Sequence, residues 1–327
     1  MAGGRCVVRV CFTAVLGCRA ALWIAVGIVS VGFGGCMAPL AQVMTTAPNR
    51  LNPLSDYANP LPTAEELLGA DESFDVPVGP PEARLSVSIV EPSEKYERPR
   101  GTILVLHGIL ARGMWMMPPA ELFARSGYRA VLVDLRGHGR SSGDRLTFGK
   151  QEARDLSQVI DELERRGLAE GPVGVYGISY GAATSIHLAG LDRRIKAVVA
   201  VAPFSTIRDE IPHFSRVMVP GVGWMLTEED YQRVIDEAGR QADFDPDRDT
   251  TVEAIKRTDA RVLLIHGTND WVVPHKHSIR LHEAAPDRSE LLSVPWYGHT
   301  VIWTDPTGTV ALRARDWFDR WMDDAVE

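Results

Sequence analysis

Residues 173–188 read V-G-V-Y-G-I-S-Y-G-A-A-T-S-I-H-L, and the architecture of the whole chain follows from how this stretch must fold. An apolar run at 173–176 is a short buried strand, and the small and apolar residues of 182–188 begin a helix. Between them lies Gly177-Ile178-Ser179-Tyr180-Gly181, a G-x-S-x-G pattern. A strand that turns directly into a helix must bend sharply, so the serine is held in a strained conformation and its neighbours must be small. In an isolated loop the same five residues would carry little weight. The strand before them and Ala182-Ala183 after them single out Ser179 as a nucleophile.

Working outward, residues 84–90 alternate as a half-buried strand, while 101–106 form a continuous apolar run of the kind buried on both faces of a sheet. A helical pattern at 119–126 precedes a strand at 130–134. An amphipathic helix at 150–166 follows, with Ala153, Leu156, Val159, Ile160 and Leu163 on one face. Further strands read at 197–202 and 262–265. This alternation predicts an α/β fold with a mostly parallel central sheet and helices on both faces. Residues 204–252 break the rhythm without a strand signal, and they are expected to form a small helical cap inserted above the sheet.

A serine hydroxyl is a weak nucleophile, so it needs a base, and the base needs an acid to fix its tautomer. Asp270 follows the strand at 262–265 in H-G-T-N-D-W-V-V-P, and His299 follows the apolar segment 291–294 in Y-G-H-T. The order Ser179, Asp270, His299 suits loops at the carboxyl ends of strands. Asp134 is the main rival acid, although its D-L-R-G-H-G context suits local capping; Asp305 is a third candidate. His107-Gly108-Ile109-Leu110 closes the strand at 101–106, so the backbone N–H of Ile109 or Leu110, with that of Tyr180, would form an oxyanion hole. Met114, Trp115, Phe214 and Trp224 are expected to line an apolar acyl pocket or to bury the cap. His275, His277 and His282 lack the cysteine or paired carboxylates of a metal site and read as solvated side chains.

With these residues placed, His107-Gly108, D-L-R-G-H-G-R-S-S-G at 134–143, G-I-S-Y-G at 177–181 and H-G-T-N-D at 266–270 resemble the α/β-hydrolases. They are most similar to the serine-aminopeptidase-like and monoacylglycerol-lipase-like esterase branch, over residues 84–325. The resemblance implies an acyl-enzyme mechanism on an ester, thioester or amide, with neither metal nor organic cofactor. The expected activity is carboxylic ester hydrolysis on a small acyl substrate. Peptidase or acyltransferase chemistry on the same residues is the alternative, with Glu228, Glu229 and Asp230 able to meet a substrate ammonium group. A non-catalytic envelope binding protein has no use for an activated nucleophile.

Composition bounds the remainder. In 327 residues, 45% hydrophobic, the formal charge is -8 with no long run of either sign, which argues against a nucleic-acid surface. All four cysteines, Cys6, Cys11, Cys18 and Cys36, lie in the first 36 residues, so the globular part has no disulfide or thiolate site. Arg19, an apolar core over 20–33, and Gly34-Gly35-Cys36 form a signal or membrane-anchor segment over residues 1–36. Its end resembles the bacterial lipoprotein box with Cys36 as the acylated residue, though Phe33 stands where Leu is usual. Lipidation, an uncleaved anchor and secretion all put the catalytic domain outside the cytoplasm, in the cell envelope or beyond it. Residues 37–81, rich in Pro, Asn, Thr and Ala and periodic only near 64–68, read as a tether to the domain at 82–327, with room for part of it to pack on that domain.

Overall fold

A computed structural model describes residues 37–51, 63–219 and 221–323. The 1–36 segment, Cys36 included, lies outside the described residues.

Eight strands form one sheet in the order β1-β2-β4-β3-β5-β6-β7-β8. They are β1 (Glu72–Val78), β2 (Ala83–Val90), β3 (Thr102–Leu106), β4 (Arg129–Val133), β5 (Val173–Ile178), β6 (Ile195–Val201), β7 (Arg261–Gly267) and β8 (Ser289–Val294). β1 pairs antiparallel with β2 and β2 antiparallel with β4, whereas every pair from β4 through β8 is parallel. The six parallel strands therefore end on one edge, where the loops that follow them gather.

Burial on both faces explains the apolar runs. In β3, Leu104 and Leu106 join one core cluster while Ile103 and Val105 join the other, and all four are fully buried. After α1 (Ala38–Thr45) and α2 (Ala64–Leu68), the larger helices begin with α3 (Met117–Arg125), α4 (Lys150–Arg165) and α5 (Tyr180–Leu191). α4 lays Leu156, Val159, Ile160 and Leu163 on the first face, beside α5, which is buried almost all round. α3 packs Phe123 on the second face against Phe318 of α11 (Thr309–Trp321), with ring centroids 5.4 Å apart and edge to face.

Between β6 and β7 the chain forms α6 (Ile207–Met218), a single turn at Val222–Met225, α7 (Glu228–Ala242) and α8 (Thr251–Arg257). The expected insertion at 204–252 is thus helical. Arg208 ties it together by pairing with Asp236 and Asp247. Helix α9 (Lys276–Ala284) follows β7, and α10 (His299–Thr304) follows β8.

The stretch read as a tether is partly built into the domain. β1 lies within it, and its Pro77 had masked the E-S-F-D-V-P-V alternation; a proline is accommodated here because β1 is an edge strand. Ala41, Thr45 and Ala47 are fully buried, and Asn49 donates its side-chain amide to the carbonyls of Gly139 and Ser141.

Candidate active site

Ser179 stands between β5 and α5 with φ 53° and ψ -111°, a conformation a non-glycine residue adopts only under constraint. The constraint is visible at its flanks. A Cβ on Gly177 would lie 2.3 Å from the Gly181 carbonyl oxygen, and one on Gly181 would lie 2.5 Å from that of His107. Glycines at 177 and 181 let β5, α5 and the end of β3 approach closely enough to hold the bend. The Ser179 amide is anchored by donating to Val201 O at 2.8 Å.

Gly108 passes beside the serine: a Cβ there would be 3.6 Å from Ser179 Cβ. The next residues turn back, with Leu110 at φ 61° and the Ala111 amide donating to Gly108 O. Ile109 and Leu110 thus follow directly on the glycine that passes beside Ser179, and α5 begins at Tyr180, where the first backbone amides of a helix have no partner within it. His107 supports this loop. Its buried ring donates from Nδ1 to Gly108 O at 2.7 Å and accepts the Leu135 amide at Nε2, and burial lowers its pKa to about 4. His138 packs on it with centroids 5.0 Å apart and is likewise lowered, to about 3.

Asp270 and His299 meet because two loops are laced together. Beyond β7, the Thr268 amide donates to Val294 O and the Asn269 amide to Tyr297 O, while Thr268 Oγ1 accepts the Trp296 amide. A Cβ on Gly267 would sit 2.1 Å from Tyr297 O, so only glycine admits this approach. The result is a hydrogen bond from His299 Nδ1 to Asp270 Oδ2 at 2.7 Å. Asp270 Oδ1 accepts the amides of Val272 and Val273, both at 2.9 Å. Burial alone would raise the Asp270 carboxyl, but the neighbouring His266 and His299 rings and the Val273 amide outweigh it and hold it well below the usual carboxylate range. A carboxylate fixed in this way keeps the proton on Nδ1 of His299 and leaves Nε2 to accept one. No hydrogen bond joins Ser179 Oγ to the His299 ring among the described residues; such contacts are often long until substrate binds.

The other candidates are placed elsewhere. Asp134 accepts the amides of Gly113 and Arg140 at 2.5 and 2.7 Å, the local capping role its turn suggested, and Asp305 accepts the Ala311 amide. Met114 lines a small cavity with Ser86, Ser88, Leu132 and Asp134. Phe214 is half-buried against the core, whereas Trp115 and Trp224 are exposed. Glu228 and Glu229 pair with Arg216 and Arg233, and Asp230 caps α7 through Thr227.

His277 is buried rather than solvated. It accepts from Ser205 at Nδ1, which leaves the proton on Nε2, 3.2 Å from Glu210 Oε2 without hydrogen-bond geometry. Burial disfavours the charged form of both, raising the Glu210 carboxyl well above its usual value and lowering His277 to about 3.

Glu152 was not singled out in the sequence. Fully buried in the first turn of α4, it accepts from Thr147 N and Oγ1, from Gly149 N, and from Tyr180 Oη at 2.8 Å. It thereby holds the residue that follows Ser179. An acid three residues after Gly149 is a helix-start signal that had been absorbed into the amphipathic pattern.

The family model of the X-Pro dipeptidyl-peptidases (S15 family) matches residues 79–242, which include Ser179 but end before Asp270 and His299. The uncharacterized protein YqkD of Bacillus subtilis is 24% identical over 229 residues, 69% of this chain and 73% of YqkD. The thiohydrolase aneE of Aspergillus aculeatus is 27% identical over 180 residues, about half of each chain. Among solved structures, the Pyrococcus furiosus esterase Pf2001 superposes with a TM-score of 0.60 at 23% identity, over 77% of this chain and 93% of the esterase, a likeness of fold.

Proposed function

Because the chain belongs to the S15 family of X-Pro dipeptidyl-peptidases and is an α/β-hydrolase, we propose that it is a serine hydrolase of carboxylic esters, with Ser179, His299 and Asp270 as its catalytic residues. The observation that carries this reading is the 2.7 Å hydrogen bond from His299 to buried Asp270, on the edge where Ser179 is held at positive φ. In the proposed reaction Ser179 Oγ attacks the carbonyl carbon and its proton passes to His299 Nε2. The backbone amides of Tyr180 and of Ile109 or Leu110 take up the charge on the carbonyl oxygen. The tetrahedral intermediate collapses, the alcohol leaves with the proton from Nε2, and water repeats the attack to release the acid and restore the serine.

Ester rather than peptide hydrolysis is favoured by the chemistry of the rim. Glu228, Glu229 and Asp230 are engaged in ion pairs and a helix cap, so this run offers no unengaged acid to meet a substrate ammonium group. The family's namesake activity makes peptidase action the second reading. Initial rates on p-nitrophenyl esters and on aminoacyl and Xaa-Pro anilides, for the wild type and Ser179→Ala, separate the two. Faster turnover of the anilides would replace the ester reading, and equal ester rates in both proteins would end it. The apolar 20–33 segment and Cys36 motivate a location in the cell envelope, with Cys36 acylated; metabolic labelling with a fatty acid, lost in Cys36→Ser, tests this.

A further inference from the structure

We propose that the carboxyl edge of the sheet, which bears Ser179, docks directly on a lipid bilayer with little net headgroup charge. The first observation is the placing of the exposed tryptophans. Trp115, Trp224, Trp271 and Trp296 are 40%, 72%, 60% and 87% exposed. They lie in the segments that follow β3, β6, β7 and β8, all of which end on this one edge. Leu110 and Met225 stand out beside them in sequence, each about half exposed. Indole is poorly suited to water and well suited to the headgroup boundary of a bilayer, so a set of exposed tryptophans in segments that all follow this one edge marks a contact face.

The second observation is independent and concerns where the chain enters the domain. α1 packs on cap helix α7, with Gln241 Nε2 donating to Ala38 O at 3.1 Å. Ala47 and Asn49 then bond to the loop that follows β4. Residues 37–51 therefore lie across the carboxyl edge. The apolar 20–33 segment is only a few residues upstream, and no charge occurs from residue 20 to residue 49. From residue 33 to residue 38 an extended chain reaches at most about 18 Å, whereas a six-residue strand alone is about 20 Å long. Held in a bilayer by an acyl group on Cys36 or by an uncleaved 20–33 segment, the chain has a leash that brings this edge to the surface and is too short to turn the opposite edge towards it. The chain's formal charge of -8 opposes approach to anionic headgroups, which selects a zwitterionic surface.

The inference deepens the proposed function: it rests on that reading for the substrate, an acyl ester drawn from the bilayer, but the docking itself does not. The test uses the full chain reconstituted in phosphatidylcholine vesicles with plain or dibrominated acyl chains. Trp271→Gln with Trp296→Asn is the variant, asparagine being tolerated at the positive φ of position 296. The emission quenched by bromine is expected to fall by roughly a third or more in the variant, and adding phosphatidylglycerol is expected to weaken wild-type quenching. Hydrolysis of a long-chain ester embedded in the bilayer should drop about fivefold or more, while a soluble butyrate ester is cleaved within about twofold of the wild-type rate. Equal quenchable emission in wild type and variant overturns the proposal, whether the rim is then bare or, by sedimentation, covered by a second copy. If neither ester is cleaved by either protein, the hydrolase reading fails, and quenching still decides the docking.

Discussion

Ser179 and Asp270 show how little freedom the reacting side chains have. A residue at φ 53° is held there at a cost of about 1–3 kcal/mol, and the two flanking glycines supply the space that makes this possible. Replacing Ser179 by Ala is expected to leave the fold intact and reduce ester kcat by at least about a thousandfold, measured from initial rates. Asp270 acts through the His299 tautomer, so Asp270→Asn should lower kcat by about 10²–10⁴-fold with a much smaller change in KM. The same carboxylate contributes to stability. Its folded-state pKa is depressed, so its stabilisation is complete above the unfolded value near about 4 and is lost as pH falls below it. Thermal melting should therefore show Asp270→Asn less stable than wild type at pH 7. The gap should narrow as pH is lowered from about 5 to about 3; a gap that stays constant would show that the carboxylate gains nothing from its neighbours.

At the scale of elements, the site depends on helices and loops fastened by buried polar groups. Glu152 joins α4 to α5 by accepting four hydrogen bonds. Glu152→Ala would strand those donors, at about 1–3 kcal/mol for each group that water cannot reach, and would free Tyr180. A lowered Tm is expected together with a fall in kcat, whereas a purely structural bond would move Tm alone. The Glu210–His277 pair joins the cap's first helix to α9 and predicts the opposite trend with pH. Because burial raises the Glu210 carboxyl, its stability contribution is present below the unfolded value and is lost as pH rises towards the folded one. Glu210→Gln, already neutral, should match wild type near pH 4 and exceed it in Tm at pH 8.

For the molecule as a whole, sequence patterns were most informative where local and global requirements coincide. β3, β5 and β6 are apolar on both faces, and Gly177, Ser179 and Gly181 are fixed by a single bend, so these were readable from short windows. Asp270 and His299 were readable through chain order, but their meeting depends on Gly267 and on the lacing of two loops 29 residues apart, which no window contains. Glu152 and His277 were missed or misplaced because burial of a polar residue is a property of its distant neighbours. β1 and α1 were obscured for a related reason: Pro77 and Pro39 disguise elements that tertiary packing stabilises. The 37–51 segment then carries a consequence for the entire domain. Ala41, Thr45 and Ala47 are fully buried, and Ala47 sits against Gly137 in the turn that follows Asp134. A chain beginning at residue 52 would uncover the cap helix and that turn together. Compared with a chain beginning at residue 37, it should melt lower by about 2–4 °C for each kcal/mol lost. Ester hydrolysis should also become more heat-sensitive, because the cap and the β4 loop flank the same edge as Ser179. Equal melting curves for the two chains would show that the segment contributes no stability and is only a leash.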